Sequence, residues 1–455
     1  MKLQLPKNRQ ARFSLFGSAL GLLALFALLT SWWHGYHYGV WGRLAALLCT
    51  ALFALLGLRF MPRWAQFWSD EPLPAAPGAD EPRRMTRKLF FALLGFVPAI
   101  WLFAWLLRCA MGQPQGLLPS MSFWTCADSR HYLDIANDWY LSEGDPDRLV
   151  QLVFLPGFPL AVRLLRLLTG DTLAAGLLCS ALCFAGAGCV LYRLLRLDLP
   201  HETALRAVLF ACLLPGSFFY AAPMSESLFL LSSLGCVYLA RRGRWLPSCL
   251  CGAWAAFTRS LGLMLLAPLV LELVAEALRA GKNLPLKKTL LRAATLLLVP
   301  LGFAAYCLIN YLVSGNPFQF MIYQAEHWGQ HLGLFFNTAA YQAELALSSW
   351  AEKPHNTVGL WLPNLLYLFG APLLVALAAR RLRASYTAWF IAYYLVAVGA
   401  TWLLSAPRYL MAMPVLPLAL ALLTEKPRGK TAVLIMLSML WVLYFIPFLL
   451  RWQVW

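Results

Sequence analysis

The sequence predicts an all-α, polytopic membrane protein: a helical bundle of about 13 transmembrane helices with amphipathic juxtamembrane helices on one surface. Three observations carry this. Apolar and aromatic residues make up 61% of the 455-residue chain and charged residues only 13%, too apolar a balance for a water-soluble domain of ordinary surface-to-volume ratio. Apolar runs long enough to cross a hydrocarbon core of ~30 Å, which takes about 20 helical residues, recur from end to end. The runs are continuous and not alternating, so membrane strands are excluded and helices remain.

The first run, 13–33, follows Lys2, Lys7, Arg9 and Arg12. It is longer than the apolar core of a signal peptide and reads as an uncleaved span. A second run, 39–61, is joined to it by Trp32-Trp33-His34-Gly35-Tyr36-His37-Tyr38, an aromatic belt suited to a membrane interface. A Pro-rich charged linker from Pro62 to Lys88 precedes the third run at 89–109, and an acid-rich loop extends from Ala110 to about Leu152. Further runs lie at 172–192, 203–221, 224–240, 245–258, 261–278 and 289–312. A second loop, Ser314 to Val358, leads to the last four at 359–379, 385–404, 407–423 and 431–450. The chain divides into an additional N-terminal helix pair with its linker, 1–88, and a main membrane domain, 89–455, with outer loops 110–170 and 314–358.

The formal charge is +17, but the basic residues fall in short clusters between apolar runs and form no basic face, so no nucleic-acid partner is expected. The clusters are Arg83 to Lys88, Arg193 with Arg196, Arg241 to Arg244, Lys282 to Arg292, Arg380 to Arg383, and Lys426 to Lys430. By the positive-inside rule all can be cytoplasmic at once. This requires 157–170 to lie along the outer surface, as Arg163 and Arg166 on a leucine-rich helix suggest, and 245–278 to be a tight two-helix hairpin. Asp128, His131, Glu226, Arg259, Glu326, His327 and Arg408 then gather at the outer face. Ionisable groups beside apolar segments are costly unless paired or functional, so their convergence suggests one site. The 11 cysteines sit mostly inside apolar runs, where a thiol packs as a small hydrophobe, and show neither disulfide nor zinc spacing.

Asp128 begins the segment Asp128-Ser129-Arg130-His131-Tyr132-Leu133-Asp134-Ile135-Ala136-Asn137-Asp138-Trp139-Tyr140. His131, Tyr132, Ile135 and Trp139 share a helical face, and from spacing alone an N-cap role for Asp128 is the simpler reading. His327 and His331 follow the order Glu-His-x-x-x-His, unlike the zincin His-Glu-x-x-His. An outer-loop helix presenting Tyr323, His327 and Trp328 to sugar or lipid is preferred, with no metal and no cofactor.

Here the sequence resembles the GT-C superfamily of membrane glycosyltransferases, and within it the PIG-V mannosyltransferases with their bacterial relatives. Asp128, His131, Tyr132, Ile135 and Ala136 match that family's Asp-x-x-His-aromatic-x-x-Ile-Ala pattern. Phe154 to Leu160 is similar to its Phe-Pro-x-x-Pro-Leu stretch, and Pro215 to Phe229 to its Pro-x-x-Phe-Phe and Ser-Glu-Ser-Leu-Phe segments. Thr258-Arg259-Ser260-Leu261-Gly262 resembles its Arg-Ser-x-Gly element, and Arg408-Tyr409 its late Arg-Tyr pair. Five motifs in family order span roughly 89–425. Two positions depart: Ala127 stands where the family has Trp, and Trp139 where it has Gly.

The resemblance implies transfer of a hexose, mannose first, from a polyprenyl- or dolichyl-phosphate carrier to a glycan or glycolipid hydroxyl on the non-cytoplasmic face, by single inverting displacement. A sugar phosphate already carries a good leaving group, so the chemistry needs one base rather than the paired acids of a glycosidase. Asp128 is the implied base. His131, Tyr132, Glu226, Arg259, Arg408 and Tyr409 are the implied substrate-binding residues, with Arg408, then Arg259, beside the departing phosphate, and Glu326 and His327 join them as candidates from their place among the outer-face ionisable groups. The expected setting is a bacterial inner membrane with a periplasmic site, or the endoplasmic reticulum membrane in a eukaryote. A multi-span transporter or lipid flippase is the alternative, using the same charged residues as a pathway near the midplane.

Overall fold

The computed structural model describes residues 9–68, 83–140, 150–281 and 285–454. Most of the linker after Phe67, the acids Glu143, Asp145 and Asp147, and Lys282 lie outside the described residues. The chain runs through helices α1 (Arg9–Gly35), α2 (Val40–Phe67), α3 (Arg83–Ala110), α4 (Ser129–Asp138), α5 (Gly157–Thr169), α6 (Thr172–Leu195), α7 (His201–Leu213), α8 (Glu226–Arg241), α9 (Trp245–Thr258) and α10 (Leu266–Ala280). It continues through α11 (Leu286–Thr295), α12 (Leu298–Ser314), α13 (Gln319–Trp328), α14 (Phe335–Glu352), α15 (Leu362–Ala378), α16 (Ala384–Val398), α17 (Ala406–Met411), α18 (Val415–Leu423) and α19 (Pro427–Leu449). The only extended pairing among the described residues is a single antiparallel bridge between Leu332 and Ala400.

Eight segments among the described residues are long and apolar enough to cross a membrane: those ending at Gly35, Phe67, Ala110, Leu195, Ala280, Ser314, Ala378 and Leu449. The molecule is an all-α polytopic membrane protein. The other five apolar runs are also helical but shorter or broken: α7, α8, α9, α16, and α17 with α18. The 16 residues of α8 span only ~24 Å. Buried inside the bundle against α6 and α9, they exchange lipid contact for side-chain packing.

Helix α5 packs on α4 and α6 and exposes Leu164, Leu167 and Leu168, the amphipathic helix that its sequence pattern predicts. Its successor starts at Asp171, whose carboxylate accepts a hydrogen bond from the Ala174 N–H at 2.7 Å, an N-cap. Residues 245–280 fold back on themselves at Arg259, where a 3-10 turn, Ser260–Leu265, joins α9 to α10. The fold-back is very tight: a Cβ on Gly262 would lie 2.3 Å from the Ala256 nitrogen.

The N-terminal pair packs onto α14 and α15 through α2. Trp32 Nε1 and Tyr38 Oη both donate to Asn337 Oδ1, at 2.8 and 3.0 Å, and the Glu344 carboxylate accepts from the Gly39 N–H just before α2. An acid there also faces the positive end of the α2 dipole.

At the far end of α8 from Glu226, Arg241 makes two hydrogen bonds to Asp198, at 2.7 and 2.8 Å, and Arg383 makes two to Glu272, at 3.1 and 3.0 Å. Ser385 and Tyr386 complete this network by bonding Glu272 and Arg241. Pairing of this kind makes buried charge tolerable. It fixes one end of the bundle and leaves the opposite ends of the same helices for the site.

Candidate active site

Four charged side chains from four separate segments meet at the start of α8. Arg408, in α17, donates from Nη2 to Asp128 Oδ2 at 2.5 Å and from Nε to Glu226 Oε1 at 2.8 Å. Arg259 donates from Nη1 to the same Glu226 oxygen at 2.7 Å and to Ser225 Oγ at 3.3 Å. Glu226 is wholly buried, and its second oxygen has no hydrogen-bond partner among the described residues; Arg259 and Arg408 are 8% and 3% exposed. Two carboxylates and two guanidiniums balance formally, which offsets the cost of burying them. Asp128 differs in keeping 32% of its side chain exposed.

The N-cap reading of Asp128 is not realised. Its side chain makes no capping bond to α4 and turns to Arg408 instead. The loop before α4 is held by Ser129, whose hydroxyl donates to Trp124 O and accepts from the Cys126 N–H at 2.6 Å. The chain enters Asp128 through Ala127 at φ 46°, a left-handed conformation unusual for a residue with a Cβ. Trp139, the family's Gly position, has φ 66° and ψ −167°, a region that glycine occupies freely and other residues only with strain of about 1–3 kcal/mol. Its ring contacts that of Tyr140, with centroids 5.1 Å apart.

A cavity opens over this tetrad. It is lined by Asp128, Tyr132, Phe154, Arg259, Ser260, Gln324, Trp328, Gln330, Trp402, Ser405, Arg408 and Tyr409, among others. Tyr132 is buried, its hydroxyl 3.0 Å from Ser225 Oγ, and burial pushes the phenol up. Tyr409 lies under Arg259, whose Cζ is 4.8 Å from the ring centroid, a cation–π contact. The turn carrying Arg259 is pinched from both sides. Gly262 approaches Ala255 and Ala256, and a Cβ on Gly157 would lie 2.8 Å from Thr258 Cα. Two of the sequence motifs thereby set one arginine in place.

Not every sequence candidate reaches the cavity. His131 stacks on Phe154, centroids 4.6 Å apart, behind the wall. Burial lowers its pKa, opposed by Asp128 and Asp134. Glu326 and His327 are exposed on α13 and outside the lining; His327 touches the rings of Tyr323 and Trp328. The face of α13 that meets the cavity carries Gln324 and Trp328 instead. Gln324, Gln330 and Trp402 were not singled out from sequence, and nothing in their spacing marks them. Among the described residues no group of three His, Cys, Asp or Glu side chains has metal-holding geometry.

Residues 114–325 match the family model described as mannosyltransferase (PIG-V). GPI alpha-1,6-mannosyltransferase 2 of Homo sapiens is 39% identical over 162 residues, covering 33% of this chain and 31% of that protein. The Mus musculus protein of that name is 36% identical over the same length, covering 33% and 31%. The Cricetulus griseus one is 36% identical over 169 residues, covering 34% and 32%. The chain thus covers about a third of the length of these relatives. Asp128, His131, Tyr132, Glu226 and Arg259 all fall inside the stretch that matches the PIG-V mannosyltransferase family model, whereas Arg408 and Tyr409 reach the cavity from beyond it.

Proposed function

We propose that this chain transfers mannose from a polyprenyl-phosphate carrier to a glycan or glycolipid hydroxyl on the non-cytoplasmic face of the membrane, by single inverting displacement with Asp128 as base. The observation that carries the reading is the setting of Asp128. One carboxylate oxygen is fixed by Arg408 at 2.5 Å, and the partly exposed side chain opens onto the cavity. The acceptor O–H gives its proton to Asp128 as the oxygen attacks the anomeric carbon. The bond from that carbon to the phosphate oxygen breaks, and its electron pair leaves with the carrier phosphate.

In-line inversion puts base and leaving group on opposite faces of the sugar, which separates the roles of the two arginines. Arg408 commits Nη2 and Nε to carboxylates and is tied to the base itself, so it orients Asp128. Among the described residues Arg259 hydrogen-bonds only through Nη1, and it lines the cavity, leaving N–H donors to stabilise the departing phosphate. This reverses the order expected from sequence, in which Arg408 was the first choice for phosphate.

The transporter alternative is less well supported, because the family model that residues 114–325 match is one of mannosyltransferases. Residues 1–88 are read as an addition to a catalytic part spanning 89–455. The host membrane is proposed to be a bacterial inner membrane with the site facing the periplasm, the endoplasmic reticulum lumen being the eukaryotic counterpart.

Purified protein in lipid, given polyprenyl-phosphate mannose labelled in the sugar together with membrane glycolipids, should form labelled glycoside and free polyprenyl phosphate in equal amounts. Movement of intact donor between leaflets, with no new glycosidic bond, would overturn the reading.

A further inference from the structure

We propose that the uncharged part of the cavity lining is a hexose subsite built by Gln324, Trp328, Gln330 and Trp402. This deepens the reading above and rests on it for the class of substrate, but its evidence is a different set of residues. This part of the lining comes from the end of α13 and two extended strips, 329–334 and 399–404. The strips are joined by the Leu332–Ala400 bridge and by hydrogen bonds of 2.5 Å from Gly333 N to Gly399 O and 2.8 Å from Thr401 N to His331 O. Neither charged group nor aliphatic patch dominates it: it offers two carboxamides and two indoles.

That combination fits a sugar ring and little else. A pyranose presents an apolar C–H face, which an indole covers, and a rim of hydroxyls, each donor and acceptor, which a carboxamide can match on both counts. Phosphate would call for cations, which none of the four supplies, and a polyprenyl tail would not be served by amides.

The four side chains are also held in place. Gln330 Nε2 donates to Trp402 O at 2.8 Å, and Gln324 Nε2 approaches Gln330 Oε1 at 3.4 Å. Trp402 stacks on Tyr341, centroids 5.6 Å apart, and Phe154 supports Trp328 edge to face at 6.4 Å. Gln324 Oε1 makes no hydrogen bond to the described residues and lies on a cavity-lining side chain. Groups fixed in this way lose little freedom when a ligand docks.

The test is binding without turnover, using the Asp128→Asn protein as background and polyprenyl-phosphate mannose, sugar-free polyprenyl phosphate and methyl mannoside as probes. Gln324→Ala and Trp328→Leu sit on a half-exposed helix face, and monodispersity and melting of each variant would verify folding. For a donor hexose, both should weaken polyprenyl-phosphate mannose on the order of tenfold and leave polyprenyl phosphate unchanged. For an acceptor hexose, methyl mannoside binding should fall instead, with both carrier lipids unchanged. No change with any probe, or equal loss for the two carrier lipids, overturns the subsite. Mannose binding at the subsite together with no glycoside formed by the wild-type protein would sink the transferase reading alone.

Discussion

At the scale of single residues, the proposed transfer rests on Asp128 as the base. Asp128→Asn keeps size and can still accept a hydrogen bond from Arg408, but an amide cannot take the acceptor's proton. Turnover should fall on the order of 100-fold or more while donor binding persists. Asp134→Asn and Asp138→Asn on the same helix are the controls, and equal damage in all three would point to loop stability instead. The two arginines should separate as well. Arg259→Gln should raise the donor Michaelis constant, slow turnover and lower the melting temperature too, since it leaves the buried Glu226 with one cation fewer. Arg408→Gln leaves a buried Glu226 with one cation fewer and Asp128 unheld, so melting temperature and turnover should fall together. Unchanged donor kinetics in Arg259→Gln would return the phosphate to Arg408. His131 supplies a pH signature. Burial lowers its pKa in the folded protein, so the unfolded chain binds a proton first on acidification. The stability it contributes is complete above its ordinary value near ~6.5 and is lost as pH falls through the lowered one. His131→Phe should flatten that part of the stability–pH curve.

Among elements, the helix pair α1–α2 has the most specific attachment. Asn337→Leu would leave the donors of Trp32 and Tyr38 facing an apolar group, at a cost of about 1–3 kcal/mol for each buried, unsatisfied donor. The melting temperature should fall, and cleavage between the pair and the rest of the chain should be easier. A melting curve equal to wild type would mean the pair is held by apolar packing alone. The same scale shows what sequence could and could not reveal. The hairpin at Arg259 was readable because the charge clusters and the topology rule demand it. The phase of α13 was not. Glu326 and His327 are the chemically conspicuous residues of that turn, yet which face of a short helix meets a cavity depends on distant partners, here Phe154 and the 399–404 strip. Likewise, capping and ion pairing ask for the same residue type at the same position, so only the observed bond to Arg408 shows that Asp128 does not cap α4.

For the whole molecule, composition sufficed for the fold class, while the length of each apolar run was a weaker guide to whether it spans. Several short runs are apolar because they are buried in protein, as α8 is, and burial in a bundle and burial in lipid leave the same mark on a sequence. What the structure adds is polarity along the bundle. Glu226 and Arg241 begin and end the same helix, so the tetrad and the Arg241–Asp198–Glu272–Arg383 network lie ~22 Å apart along its axis. The basic clusters Arg241 to Arg244 and Arg380 to Arg383 adjoin that network. If they are cytoplasmic, as the positive-inside rule requires, the cavity opens on the other side. Single cysteines placed in a background stripped of reactive native thiols test this in intact cells or sealed vesicles. A cysteine at Lys353, exposed beyond α14, should react with an impermeant maleimide from the non-cytoplasmic side, and one at Arg84, exposed at the start of α3, only after the membrane is opened. The reverse pattern would put the site in the cytoplasm, where a donor displayed on the outer leaflet could not reach Asp128.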